Sequence, residues 1–252
     1  KISLEFAKRA DFEKALEIAR NISDQYNSSR SLLEISAEMY VMKLDAESNS
    51  ILDESHRKML DMDNFLWKGY ALTDIAVEYA RRGKIENSFI CLQEISGDYR
   101  KENALCKISK ELALLGKKIE SISYVHTIND FNLKSNALVE ISKVFFEQNQ
   151  CDDALKYLNE ALSNSNMIED ESLKVTLLIS FNANALVWME KHKEFDKFGR
   201  QYTSIFITEN IDESDVVEFK KILDVVKAEN LHIKYDSIIL KKNLGGSVWS
   251  AM

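Results

Sequence analysis

The chain has 252 residues, of which 45% are hydrophobic and 29% charged, and its formal net charge is -8. It contains no proline and only seven glycines, so almost nothing in it interrupts a helix, and a folded, largely helical protein is expected. The negative charge and a pI near 5.2 argue against broad binding to nucleic-acid backbones or to acidic membranes.

The cysteine pattern and the hydropathy point to a cytoplasmic location. The three cysteines are far apart and form no CxxC pair, which favours neither a disulfide framework nor a zinc site. No apolar run reaches about 18 residues, and no charged leader precedes an apolar stretch, so neither a membrane span nor secretion is predicted. Because the chain begins with Lys1, we expect it to be trimmed or to be a piece of a longer protein.

A residue pair, isoleucine followed by serine or alanine, recurs from the start of the chain. Three of the four intervals between these isoleucines are 33 residues and one is 40. The pairs are Ile2-Ser3, Ile35-Ser36, Ile75-Ala76, Ile108-Ser109 and Ile141-Ser142. A unit of this size is too small to bury its own core, so successive units must stack, and the sequence predicts a solenoid of helical repeats.

The first helix of each unit carries the isoleucine in an apolar stripe. A leucine precedes it by three residues, and a large apolar residue follows it by four; this spacing places the side chains on one helical face. These residues are Leu32, Leu72, Leu105 and Leu138 before it, and Phe6, Met39, Tyr79, Leu112 and Phe145 after it. Gly83, Gly116 and Asn149, eight residues after the isoleucine, predict the helix end, since glycine and asparagine tolerate left-handed backbone.

The second helix of each unit is marked by a small residue thirteen positions after the isoleucine, which lets the two helices approach closely. The five are Ala15, Ser48, Ser88, Ser121 and Ala154. Asp11 and Asn64 are predicted helix caps. The 40-residue interval holds seven extra residues, close to two helical turns, and predicts a lengthened second helix around Ser55 to Leu60.

The chain divides into three parts by its pattern. About five helical hairpins are predicted over residues 1–165. Degenerate repeats or capping helices are predicted over 166–240, with apolar helices at Leu177 to Met189, Phe195 to Phe206 and Val216 to Val226, because a stack must cover its last apolar face. Residues 241–252 are predicted to be a flexible tail.

This pattern resembles the tetratricopeptide repeat, a helix-turn-helix unit of about 34 residues. Large, small and large residues in the first helix, glycine at the turn and a small residue early in the second match that family over residues 1 to about 165. Leucine replaces the family's early tryptophan, and its closing proline is absent from every unit. The resemblance implies an all-α fold, a right-handed superhelical solenoid, in which the first helices line a concave groove.

No motif predicts catalysis, a cofactor or a metal. The four histidines fall in different units without a metal-ligand spacing. Asp61-Met62-Asp63-Asn64 begins like a calcium loop, but Leu66 occupies the position that requires glycine. No glycine-rich phosphate loop is present, and Cys91, Cys106 and Cys151 are expected to be buried. The chain is therefore not expected to be an enzyme.

In proteins of the resembled family, residues between the buried positions of the first helices contact the ligand. The corresponding candidates here are Arg30, Glu34 and Tyr40; Tyr70, Asp74 and Arg81; Asn103, Lys107 and Lys110; and Asn136, Glu140 and Lys143. Asn103 and Asn136 stand at equivalent positions and resemble amides that bind an extended peptide backbone. The lysine and asparagine pattern of chaperone-binding members is absent, since Leu4, Ala37 and Val77 stand where an asparagine is needed.

The leading hypothesis is a scaffold that binds a peptide or helical segment of another protein in its groove. One alternative is a peptide-sensing regulatory domain of a larger signalling or transcription protein. A further alternative is an RNA-binding helical repeat, which the acidic composition disfavours. The sequence does not distinguish the first two, because solenoids share a frame while their contact residues differ.

Overall fold

The computed structural model describes residues 1–170 and 173, together with residues 207–208, 239–241 and 248–250. Its helices are Ile2–Lys8 (α1), Phe12–Arg20 (α2), Gln25–Val41 (α3), Asp45–Leu60 (α4), Phe65–Arg81 (α5), Ile85–Glu94 (α6), Asp98–Leu114 (α7), Lys118–His126 (α8), Phe131–Glu147 (α9) and Cys151–Ser165 (α10). Three short strands are Ile207–Thr208 (β1), Ile239–Lys241 (β2) and Val248–Ser250 (β3). The helices confirm the all-α prediction for the part of the chain that carries the repeats.

The chain forms two compact units, Lys1–Ile128 and Asn129–Met252. In the first unit, α1 to α8 form four helical hairpins in chain order. Within this unit, the first helix of each hairpin contacts the first helix of the next hairpin. The second helix of each hairpin also contacts the first helix of the next hairpin. Each hairpin of this unit thus packs on its neighbours. A single hairpin is too small to form a hydrophobic core by itself, so it buries its apolar face against the next one.

The second unit contains the hairpin of α9 and α10, which pack against each other. It also contains the three strands, in which β1 pairs parallel to β2 and β2 pairs antiparallel to β3. Lys241 and Val248–Ser250 belong to the segment predicted as a flexible tail, 241–252, the rest of which lies outside the described residues. The three apolar helices predicted between 177 and 226 also lie outside them, and β1 falls between the second and the third of these helices in the sequence.

All five first helices end in the same way. The residue eight positions after the isoleucine has positive φ, at 73° for Gly83 and Gly116 and 62° for Asn149, as the sequence predicted. The next amide then donates to the carbonyl four residues after the isoleucine, for example Lys84 to Tyr79 at 2.9 Å, which closes the helix end. Ala10 and Lys43 also adopt this left-handed backbone, at 61° each, although neither residue type favours it.

Small residues let the two helices of each hairpin approach, as predicted. The five marker residues of the second helices are all buried, and so is the serine or alanine that follows each isoleucine. Ser36 donates its hydroxyl hydrogen to the carbonyl of Ser48 at 2.7 Å, and Ser121 donates to the carbonyl of Ser109 at the same distance. These bonds tie the first helix to the second within a hairpin.

The repeated isoleucines lie in the core, with the exception of Ile2, which is the first residue of α1 and is exposed. Ile35 belongs to an apolar cluster in the first two hairpins, while Ile75 and Ile108 belong to a second cluster that runs from α4 to α7. Helix α4 has 16 residues, against 9 or 10 for the other second helices of the first unit, α2, α6 and α8, while α10 in the second unit has 15. The prediction of a lengthened second helix is therefore confirmed.

Helix α4 uses its extra length for a serine contact with α3. Ser29 and Ser55 are both buried, and each donates to the carbonyl of the other at 2.9 Å.

The helix caps predicted at Asp11 and Asn64 are present. The side chain of Asp11 accepts from the amide of Lys14, and that of Asn64 accepts from the amides of Leu66 and Trp67. Asn64 thereby fixes the start of α5, where the candidate site lies.

Candidate functional site

The predicted contact residues of the first unit lie on α3, α5 and α7, on the side of each helix that is not fully buried. Arg30, Tyr70, Asp74 and Lys107 are exposed, while Glu34, Asn103 and Lys110 are half-buried. Asn136, Glu140 and Lys143 lie on α9 in the second unit. The twelve candidates therefore divide into nine residues on the first unit and three on the second.

Several candidates have partners on their own helix. Arg30 binds Glu34 one turn away at 3.3 Å, and the charges of Tyr26 and Glu34 raise the pKa of Arg30. Lys143 pairs with Glu140 on α9, and Asn136 donates its amide to the carbonyl of Asn132 at 3.0 Å. A ligand at these positions would have to replace local bonds. Asn103 and Asn136 lie in different units, and the binding of a peptide backbone by their amides stays a prediction.

Tyr40 and Arg81 take part in packing between hairpins. Arg81 binds Glu78 on its own helix and Glu111 on α7, both at 2.8 Å. The hydrogen bond to Glu111 is the main reason that the pKa of Arg81 is raised. The Tyr40 ring lies 4.7 Å from the guanidinium carbon of Arg82. Both side chains thus stabilise contacts between successive hairpins, in addition to any contact with a ligand.

Arg82 joins the second and third hairpins from a buried position. Its side chain is 1% exposed, and it binds Glu78, which is 6% exposed, at 2.8 Å. Its guanidinium also donates to the hydroxyl of Ser36 at 2.8 Å and, at longer distances, to Ser48 and Asn49. A charge removed from water in this way requires such partners. The sequence pattern does not predict this structural role for Arg82.

A group of exposed aromatic side chains surrounds the start of α5. We call Tyr26, Phe65, Trp67, Tyr70 and Arg100 the aromatic platform. The Trp67 ring centroid lies 5.2 Å from that of Tyr26 and 6.1 Å from that of Tyr70. Phe65, Trp67 and Tyr70 are 64%, 47% and 50% exposed. The platform combines residues of α3, α5 and α7 in one apolar surface with an arginine in it.

Arg100 is held in a fixed place on the platform. Its guanidinium carbon lies 5.9 Å from the ring centroids of both Phe65 and Tyr70, within the range of cation-π attraction. A Cβ atom added at Gly69 would lie 3.1 Å from its Cδ, and one added at Gly97 would lie 3.3 Å from its Nη1. A glycine inside α5 weakens the helix, but here it gives the Arg100 side chain room to lie against it.

Of the platform residues, the sequence predicts only Tyr70 as a contact residue. Phe65, Leu66 and Trp67 directly follow the predicted cap at Asn64. The signal was present, because three large apolar residues in succession cannot all face a core from one helical turn. In the structure all three are exposed. Trp67 and Arg100 also stand at the same position, eight residues before the isoleucine of their units.

A second group of reactive side chains, at His56, Cys91 and Glu94, lacks the geometry of a catalytic thiol. The thiol of Cys91 and the carboxylate of Glu94 both lie against Nε2 of His56, at 3.4 and 3.0 Å. A nitrogen that donates to the carboxylate has no lone pair with which to take a proton from the thiol. Burial, with a smaller effect from Glu94, raises the pKa of Cys91. The thiol therefore stays protonated in the core.

The neighbouring Tyr79 completes this interior group. Its hydroxyl donates to Asp53 at 2.7 Å, and its ring meets that of His56 edge-on. Burial, followed by the bond to Asp53, raises the pKa of Tyr79. The described residues contain no group of three or more histidine, cysteine, aspartate or glutamate side chains placed to hold a metal ion. The group therefore holds α4, α5 and α6 together through polar contacts.

Comparison with known proteins adds no family to this description. No protein-family model matches the chain, and no curated protein matches it significantly. None of the helices that the structure describes combines the length and the apolar character needed to cross a lipid bilayer.

Proposed function

We propose that this chain is a non-enzymatic interaction module that binds a peptide or helical segment of another protein on the aromatic platform. The observation that carries this proposal is the exposure of Phe65, Trp67 and Tyr70 next to one another. Monomeric proteins seldom expose large apolar patches, and those that exist commonly mark binding sites. Tryptophan, tyrosine and arginine are also the residue types that contribute most to protein interfaces.

The layered hairpins support a binding role along the neighbouring helices. Tyr70 belongs both to the platform and to the row of predicted contacts on α5, and Asn103 and Lys107 follow Arg100 on α7. A ligand anchored on the platform could therefore extend along these two first helices. We further propose that the hairpins form a right-handed superhelical solenoid of the tetratricopeptide type. The regular helix ends and small residues in five hairpins support this.

We also propose a cytoplasmic location, supported by the three cysteines, none of which forms a disulfide bond. The interior polar group at Cys91 supports the proposal that the chain is not an enzyme, because its thiol is buried and its histidine is bonded to a carboxylate.

Peptide display tests the proposed function. Random peptides of about 12 residues, a length sufficient for the known modes of peptide recognition, are selected on the full chain. We expect enrichment on the wild type and a loss of at least about tenfold in affinity for Trp67→Ala, since truncation of an anchor costs more than about 1.4 kcal/mol. Phe89→Ala is the matched control, because Phe89 on α6 and Trp67 are both 47% exposed.

Thermal unfolding of both variants establishes that each remains folded. Enriched peptides that bind Trp67→Ala as well as they bind the wild type would place the binding surface elsewhere. No enrichment on the wild type would contradict the proposed function itself.

A further inference from the structure

We propose that the ligand of the aromatic platform is an acidic peptide segment, in which a side-chain carboxylate binds Arg100 and a neighbouring apolar side chain packs on Trp67 and Tyr70. This inference rests on the proposed function and specifies its ligand. It starts from the partners of the arginines. Arg20, Arg30, Arg81 and Arg82 each bind a carboxylate of the protein.

Arg100 differs from these arginines. Among the described residues it has no carboxylate partner, and its one hydrogen bond is from Nη1 to the carbonyl of Ser96 at 3.1 Å. Arg9 and Arg57 also lack a carboxylate partner in this part of the chain, but both are exposed to water, whereas Arg100 is half-buried. A guanidinium has five N–H donors. Arg100 is therefore a partly desolvated cation with N–H donors available to a ligand.

The position of Arg100 suits it to a carboxylate. Its side chain is confined by Phe65, Tyr70, Gly69 and Gly97, so binding would cost little further side-chain entropy. A guanidinium in a fixed orientation binds a carboxylate through two parallel hydrogen bonds. Because the aromatic rings exclude water from one side, the ion pair would be stronger than one between exposed groups.

The charges along α7 favour the same ligand. Arg100, Asn103, Lys107 and Lys110 are spaced by three, four and three residues, so they lie in one row along the helix. The row carries three cations and no carboxylate. Asp98 stands two residues before Arg100 in the first turn of α7, where the helix dipole stabilises it. Acidic residues of a peptide that follow the first carboxylate would therefore meet Lys107.

Two comparisons of selected peptides test the proposal. Peptides of about 12 residues, with amidated C-termini so that only side-chain carboxylates count, are selected on the full wild-type chain and on Arg100→Gln. We expect aspartate and glutamate to be enriched on the wild type and not on the variant. For the best peptide, replacement of its glutamates by glutamines should weaken binding at least about tenfold on the wild type. On Arg100→Gln the same replacement should change binding less than about twofold.

Controls separate this inference from the proposed function. Arg57→Gln removes an exposed arginine of α4 that also lacks a carboxylate partner in the described residues, and it should select the same acidic peptides as the wild type. Arg100→Lys keeps the charge without the paired donors and should bind with intermediate affinity.

Three other outcomes would overturn the carboxylate inference. Enriched peptides without acidic residues would overturn the carboxylate inference and leave the proposed function intact, whereas no enrichment at all would overturn both. Binding of a single-stranded RNA oligonucleotide that is lost in Arg100→Gln would assign the platform to base stacking instead and would also overturn the inference.

Discussion

At the scale of single residues, two serines at the same repeat position have different surroundings. Ser121 donates its hydroxyl hydrogen to the carbonyl of Ser109. The hydroxyl of Ser88, in the third hairpin, is buried and has no hydrogen-bond partner within the described part of the chain. A buried hydroxyl without a partner destabilises the folded state, and Ala15 and Ala154 show that alanine fits at this position.

Ser88→Ala is therefore expected to raise the free energy of unfolding by about 1 kcal/mol, while Ser121→Ala lowers it by about 0.5 to 1 kcal/mol. Urea denaturation of the two variants measures the difference. Equal destabilisation by both substitutions would show that the Ser88 hydroxyl has a partner in solution.

Lys43 occupies a backbone conformation that suits glycine. Its φ of 61° corresponds to 73° at Gly83 in the next hairpin. Since a side chain in the left-handed region costs about 1 kcal/mol, we expect Lys43→Gly to stabilise the protein by about 0.5 to 1 kcal/mol in chemical denaturation. Gly83→Ala is the converse control, because no atom lies within 4 Å of the added Cβ. It should destabilise by a similar amount, and a neutral effect of both changes would contradict the assignment.

The ion pair of Arg20 and Glu54 predicts a dependence of stability on pH. The two hydrogen bonds, at 2.9 and 2.6 Å, connect α2 to α4, and the bond to Arg20 lowers the pKa of Glu54. A lowered pKa stabilises the folded state above the unfolded pKa, about 4.3 for glutamate, and this contribution disappears as the pH falls through the folded pKa.

Glu54→Gln should thus lower the free energy of unfolding by about 0.5 kcal/mol at pH 7, a small value because water screens the pair. The difference from the wild type should vanish at a pH below the lowered pKa of Glu54. Glu17→Gln, an exposed change on α2, provides the control for lost surface charge. A difference that persists unchanged into acid would show that the ion pair is not its cause.

At the scale of the helical elements, Arg82 determines how the second hairpin meets the third. It binds Glu78 on α5, Ser36 on α3 and Ser48 on α4. Arg82→Met should destabilise the protein by about 3 kcal/mol, because Glu78 loses its buried partner. The double variant Arg82→Met with Glu78→Met should recover most of this loss in a double-mutant cycle.

Arg30→Met is the control at an exposed ion pair, where the expected change stays within about 0.5 kcal/mol. If Arg82→Met destabilised the protein no more than Arg30→Met, the hairpins would not depend on the buried pair.

The helices were largely predictable because their boundaries depend on local chemistry. The sequence predicted a helix start after Asn64 and helix ends at Gly83 and Gly116, and these positions are correct. The left-handed backbone at Ala10 and Lys43 was not predictable from residue type, since it is imposed by the closure of the hairpin. The role of Arg82 was not predictable either, because it depends on contacts with residues 34 and 46 positions earlier in the chain.

At the scale of the whole molecule, the repeat period predicted how hairpins succeed one another, and the contacts of the first unit agree with it. The candidate site was predicted only in part. Tyr70 and Lys107 follow from the repeat register, but the platform requires Tyr26, Trp67 and Arg100 from three helices to meet. The net charge of -8 does not reveal the cationic row on α7, because a total charge contains no information on its distribution.

The location of a bound peptide tests the central claim most directly. Hydroxyl-radical footprinting of the full chain, with and without its best selected peptide, reports the solvent exposure of individual side chains. We expect oxidation of Trp67, Tyr70 and Phe65 to fall on binding, while Phe89 on α6 and Ile119 on α8, both exposed in the structure, stay equally reactive. Protection of Phe89 or Ile119 with unchanged oxidation of Trp67 and Tyr70 would contradict the assignment of the aromatic platform as the binding site.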